Sequence, residues 1–313
     1  MKKLSKKTII FMIAVVVVVV VSIGYFVLPP YLYNKAMDSL RKEAGLTMKS
    51  VSIPDFEIVY LEGGTGDTVI MLHGFSANKD NWLRFAKYFT PEYHVIIPDI
   101  PGFGESSKPE NAKYTIDSQV ERLNLLAGEL NLKDFHLVGN SMGGSIAGTY
   151  AATYPEKVKT LALFDSGGVR SPVKSERSLL LEKGINPLVV KNVDDYDKLL
   201  AINFYKPFEI PSVIKNYLAK EAAKAGPLNE KIYNEITNTD YYVLEDKLGM
   251  IKAPTLIVWG DSDKVLDISS VPIFEDNIKN AKSVIIKECG HLPMLEKPEE
   301  TAAVYKDFLK GEN

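Results

Sequence analysis

Of 313 residues, only Cys289 is a cysteine, so an intramolecular disulfide is impossible and so is a paired-cysteine zinc or redox site. Histidine is scarce too. His73, His94, His136 and His291 lie far apart, with no pair at helical metal-ligand spacing, which argues against a histidine-rich metal centre. There is little charge of either sign to spare. The net charge of −3 offers no basic field for nucleic acid and no acidic solvating tail. Apart from one valine run there is no low-complexity segment, and there is no internal repeat. What remains is an ordinary globular balance, 46% hydrophobic and 25% charged, long enough for one large domain.

The first thirty residues depart from that balance. "MKKLSKK" is followed by "TIIFMIAVVVVVVVSIGYFVL", residues 8–28, which carries no charge. About 21 residues make roughly 31 Å of helix, the thickness of a bilayer core. Lipid leaves a backbone no partner except itself, so valine is forced into helix there. The run is longer than a signal-peptide core and ends in "YFVLPP", without a small-residue cleavage site. It predicts an uncleaved transmembrane anchor. Lysines before the span put residues 1–7 in the cytoplasm and the rest of the chain outside it, although Lys35, Arg41 and Lys42 pull the other way. Residues 29–49 form a juxtamembrane linker. In it "YNKAMDSLRKEAG" reads as a short amphipathic helix stopped at Gly45, lying on the membrane or solvated.

From residue 50 to 313 apolar strands alternate with helices: "FEIVYL", "TVIMLHG", "YHVIIPD", "FHLVGN", "VKTLALFD", "TLIVWG" and "SVIIKECG" are strands. "NKDNWLRFAKYF" reads as an amphipathic helix, and the helix after "KY" starts at an N-cap, Thr115 or Asp117. Nearly continuous Val, Ile and Leu between helices predicts a mostly parallel sheet covered on both faces. About 80 residues, 171–252, break the rhythm. That is too long for a connection, so it predicts an inserted helical cap, with most of its aromatics in its own core and a minority lining a pocket.

The stretch "HLVGNSMGGSIAG" places one serine among glycines between a strand and a helix. It lacks the lysine of a phosphate-cradling loop and the spacing of a dinucleotide fingerprint, so no cofactor is implied. It fits G-x-S-x-G at Gly139, Ser141 and Gly143. Tiny neighbours let strand and helix pass closely while a strained turn lifts the serine Oγ, making Ser141 a candidate nucleophile. A serine hydroxyl needs a base. Only His291, in "ECGHLP", follows both Ser141 and an acid-bearing strand end. His94 and His136 start strands and read as structural, and His73 shapes the loop after "ML". For the acid, "WGDSDKV" offers Asp261 and Asp263. Asp263 lies where the loop can turn back to the imidazole. Asp165 is a third candidate that reads more simply as a turn residue, and Asp99 reads as structural. The N–H groups of Met142 and Phe75 are placed to form an oxyanion hole.

Together "LHGF", "DIPGFGES", "GNSMGG" and "GDSD…CGHLP" resemble an α/β-hydrolase over residues 56–309. "HGFSANKDNW" and "FYKPFEIPSVIK" are similar to cold-active bacterial lipases. "GDSDKVLD" and "KECGHLPMLEKP" are similar to membrane-anchored monoacylglycerol lipases. The resemblance implies a lipid-like carboxylic ester as substrate, nucleophile Ser141, acid Asp263, base His291 and oxyanion donors Phe75 and Met142. Carbon–carbon bond hydrolases and perhydrolases share the motif and remain alternatives, as does a catalytically inactive, membrane-tethered interaction module. The intact constellation disfavours the last. Oligomeric state is not legible.

Overall fold

The computed structural model describes residues 5–8, 11, 12, 15 and 23–311. The expected span 8–28 therefore lies mostly outside the described residues. Among those described, no helix is long and apolar enough to cross a membrane.

Eight strands form one sheet in the order β1-β2-β4-β3-β5-β6-β7-β8. They are β1 (Thr47–Ile53), β2 (Phe56–Gly63), β3 (Thr68–Leu72), β4 (His94–Pro98), β5 (Phe135–Asn140), β6 (Val158–Phe164), β7 (Thr255–Gly260) and β8 (Ala281–Ile286). β1 and β2 pair antiparallel, as do β2 and β4; every later pairing is parallel. The apolar strands feed two cores by simple alternation. Ile70, Leu72, Ile257 and Trp259 face one, while Val69, Met71, Leu256 and Val258 face the other. Each such buried side chain contributes about 1.5–3 kcal/mol, so a strand buried on both faces cannot carry polar alternation.

The helices are α1 (Leu28–Glu43), α2 (Leu83–Ala86), α3 (Ile116–Glu129), α4 (Met142–Thr153), α5 (Glu176–Glu182), α6 (Asp195–Asn203), α7 (Ser212–Asp240), α8 (Val271–Asn277), α9 (Pro293–Glu296) and α10 (Pro298–Lys310). Thr115 caps α3 by accepting from Ser118 N. α5, α6 and α7 lie within 171–252, the interval between β6 and β7 in which a helical cap is expected. Gly226 in α7 has no room for a Cβ because the Val190 carbonyl packs there, which ties the cap to itself.

Three expectations need correction. The strand β1 starts at Thr47, inside the segment read as linker. Its side chains are mostly exposed, so it carries no hydrophobic alternation to read, and pairing along β2 alone makes it a strand. "NKDNWLRFAKYF" is not one helix. It is a 3₁₀ turn, Lys79–Trp82, followed by one turn of α-helix. The Lys79 ammonium and backbone both bind the buried Asp99 carboxylate, which fixes the turn before a longer helix can form. Finally, α1 is not a free linker. Tyr33 packs against Tyr217 of α7, ring centroids 5.8 Å apart and tilted at 55°, and Arg41 grips Asp80 with two bonds of 2.9 and 2.6 Å. Its apolar start is exposed, Leu28 at 43% and Tyr31 at 58%.

Candidate active site

Ser141 sits between β5 and α4 with φ 56° and ψ −117°, a conformation that L residues rarely hold. Sequence makes it possible. A Cβ on Gly139 would strike the Gly143 carbonyl, and one on Gly143 would strike the carbonyls of Leu72 and His73. The turn is held by Ser141 N donating to Phe164 O at 3.0 Å, while Ser141 O accepts from Ser145 N and Gly167 N at 3.1 and 3.0 Å. Such over-determination is what lets a strained turn persist. Met142 N opens α4, where backbone N–H groups lack partners within the helix.

His291 follows β8 in a buried loop. Its Nδ1 lies 2.8 Å from Asp263 Oδ2, and both side chains are essentially buried. Asp263 Oδ1 accepts from Val265 N and Leu266 N at 2.7 and 3.1 Å. With Nδ1 donating to the carboxylate, Nε2 presents its lone pair. Asp261 is elsewhere, accepting from Ser262 Oγ at 2.9 Å and reaching Lys287 at 3.7 Å. Asn140, next to the serine, donates from one amide nitrogen to His291 O at 3.0 Å and to Phe164 O at 3.1 Å. It thereby joins the nucleophile turn to the histidine loop. Among the described residues, neither Ser141 Oγ nor His291 Nε2 has a hydrogen-bond partner. Catalytic contacts commonly tighten only when substrate arrives.

Asp165 lies closer to this chemistry than a turn residue would. It is fully buried, its Oδ1 accepts from Gly260 N at 2.9 Å, and its Oδ2 is left without a protein donor. One ligand-type atom from each of Asp165, Asp263 and His291 falls within 4.8 Å of the others. Burial, and then the neighbouring Asp263 charge, push the Asp165 carboxyl well above the usual carboxylate range. That direction favours the protonated form of Asp165 beside Asp263. Strand register brings it there. Phe164 pairs with Val258, so the ends of β6 and β7 are level.

The loop after β3 carries Phe75. His73 braces it, contacting Gly74 O at 2.8 Å and accepting from Ile100 N at 2.9 Å; burial lowers its basicity and keeps it neutral. His94 and His136 bond Thr68 and Thr160, far from the serine turn, as structural residues. Lys79 and Asp99 lock the same loop to "PGFGES": burial opposes the ammonium charge, but Asp99 and Glu105 more than offset that. Ser76, in the left-handed region at φ 58°, accepts from Asn229 of the cap at 3.0 Å.

A mostly apolar pocket lies over the serine. Phe75, Ser141 and Met142 line one side, and the cap supplies Arg177, Tyr233 and Tyr241. Neither Arg177 nor Asn229 stood out in the sequence, where one reads as a helix-start cation and the other as a surface amide. Asp165 was visible only as a strand-end acid.

With this geometry in hand, comparison with known proteins is informative. The family described as alpha/beta hydrolase fold matches residues 67–298. Lipase 1 of Psychrobacter immobilis is 38% identical over 281 residues, 88% of each chain. Human (Homo sapiens) monoacylglycerol lipase ABHD6 is 32% identical over 86% of this chain and 84% of its own. A solved membrane phospholipase A, described as a bacterial virulence factor, superposes with a TM-score of 0.91 at 44% identity, covering 98% of this chain and 99% of that one.

Proposed function

Because this chain belongs to the α/β-hydrolase fold family and is a serine ester hydrolase, we propose that it is a membrane-anchored lipid esterase acting through an acyl-enzyme on Ser141. The observation that carries the reading is the buried His291–Asp263 pair at 2.8 Å, tied through Asn140 to the strained serine turn. Ser141 Oγ attacks the ester carbonyl carbon while His291 Nε2 takes its proton. Asp263 steadies the imidazolium that forms. The N–H groups of Phe75 and Met142 receive the oxyanion; losing one such donor typically costs about 3–4 kcal/mol of transition-state stabilisation. The imidazolium then protonates the leaving alcohol. Water, activated by the same imidazole, releases the acid and restores Ser141.

The substrate is an amphiphilic acyl ester of the acylglycerol type, delivered from the bilayer that holds residues 8–28. Support comes from the charge-free run itself, from the exposed Tyr31 and Leu32 just after it, and from a membrane phospholipase whose match spans 98% of the chain. A fluorophosphonate probe should label the protein, and Ser141→Ala should abolish labelling and lower kcat by about 10⁴-fold or more. Labelling that survives the substitution refutes the nucleophile. Carbonate-washed membranes should retain the full-length chain, whereas a shortened soluble form would disprove the anchor. Exclusive turnover of a vinylogous diketone acid, in a panel with acylglycerols and p-nitrophenyl esters, would transfer the reading to carbon–carbon bond hydrolysis.

A further inference from the structure

The pocket wall holds one charge that ester hydrolysis does not use. Arg177 of α5 is 5% exposed, and no other residue lining the pocket is charged. Its Nη1 donates to Tyr241 Oη at 3.0 Å and its Nη2 to Tyr233 Oη at 3.3 Å, while the buried Nε has no partner. Among the described residues no Asp or Glu pairs with it; only the two tyrosines act favourably on its charge. Burial opposes the charge, yet a guanidinium does not give up its proton in proteins. The phenol oxygens and ring faces, with Cζ at 5.4 Å from the Tyr241 centroid and 6.0 Å from that of Tyr233, hold the guanidinium protonated against burial, but a neutral phenol brings no counter-charge. A buried cation without an anion is strongly penalised unless something else supplies the anion. Its placement is held as well. Arg177 N donates to Lys264 O at 3.0 Å and Ser175 Oγ to Val265 O at 2.8 Å, which pins the start of α5 to the loop that carries Asp263.

Resting on the ester-hydrolase reading above, we propose that Arg177 is the anchor for an anionic head group, so that the preferred substrate is an acyl ester whose alcohol part carries a phosphate or carboxylate. The guanidinium fork matches a pair of anionic oxygens, the two tyrosines orient it, and the free Nε completes the donor set. No bond is made or broken at this site; it positions the ester over Ser141.

The test compares 1-decanoylglycerol with its 3-phosphate, which share acyl chain and ester. Arg177→Met should lower the ratio of kcat/KM, phosphorylated over neutral, by at least about 30-fold, the usual consequence of removing one partner of a buried charge pair. Arg177→Lys should restore part of that ratio. A uniform loss on both esters, with the ratio unchanged, would reduce Arg177 to a structural latch of the cap and overturn the proposal. If Arg177→Met fails to fold, the wild-type protein still decides. Decyl phosphate or decanoate should inhibit hydrolysis of the neutral ester at concentrations where decanol does not, and the stronger of the two identifies the anion. Equal inhibition by decanol overturns the proposal, and so does equal inhibition by inorganic phosphate, which would mark a site for a free ion. Fluorophosphonate labelling of Ser141 with an unchanged ratio sinks the head-group site alone, whereas no labelling and no turnover of either ester sinks the hydrolase reading beneath it.

Discussion

The strand-end loops and the cap hold their polar side chains by different means. In the loops, backbone does the holding. Asp263 is fixed by Val265 N and Leu266 N, Asp165 by Gly260 N, and Ser141 by Phe164 and Gly167. Such bonds follow from parallel strands whose ends are level, and they resist loss of any one side chain. In the cap, side chains hold side chains. Arg177 rests on two phenols and Asn229 on Ser76, while ion pairs such as Lys191–Glu230 lie in solvent, where they contribute about 0–1 kcal/mol. The reacting groups therefore stand on the rigid half, and the groups that meet the rest of the substrate stand on the adjustable half. Change in the cap should alter which ester is taken, and change in the loops should alter whether any ester is cleaved.

The sharpest break of that contrast lies within four residues of one loop. Asp263→Asn should lower kcat by about 10³–10⁴-fold, because the amide no longer stabilises an imidazolium, while Asp261→Asn should stay within a few-fold. Initial rates on a p-nitrophenyl ester decide, and the opposite order would reassign the acid. Next comes Asp165. Its folded-state pKa is raised, so the folded protein binds a proton that the unfolded chain releases near pH 4. The stability contributed is fully present below that pH and is lost as pH climbs toward the folded value, at up to about 1.4 kcal/mol per pH unit. Asp165→Asn removes the ionisation. Urea melts between pH 5 and 8 should show the variant losing less stability than the wild type as pH rises. Parallel curves would mean that Asp165 is ionised in the fold. The smallest effect is expected at the seam between the two halves. Asn229→Ala frees Ser76 and should lower kcat/KM by about 3–10-fold, with the melting temperature shifted by only a few degrees. No change would mean that the Phe75 loop is held by the Lys79–Asp99 lock alone.

Much of this contrast was legible beforehand, and for identifiable reasons. The doubly buried strands had to be continuous in Val, Ile and Leu, so β3 to β8 could be read directly. Gly139 and Gly143 announced the serine turn because no other residue fits there. β1 escaped because an exposed edge strand has no alternation to show. The turn at Lys79 escaped because an amphipathic pattern does not reveal a buried ion pair 20 residues away. Asp165 carried only the signal of an acid at a strand end, and Arg177 carried no local signal. One needs the ends of β6 and β7 side by side, and the other needs the cap seated on the pocket.

By itself, then, the sequence determined the candidate nucleophile turn, the order of its candidate partners and the charge-free run that precedes them, since these rest on steric fit and on composition within a few residues. Only the tertiary structure decided that Asp263 and not Asp261 faces His291, that a second carboxyl, Asp165, is buried behind the pair, and that the Arg177 guanidinium lines the pocket. Those depend on strand register and on cap docking, contacts between residues tens to hundreds of positions apart, which no local pattern encodes.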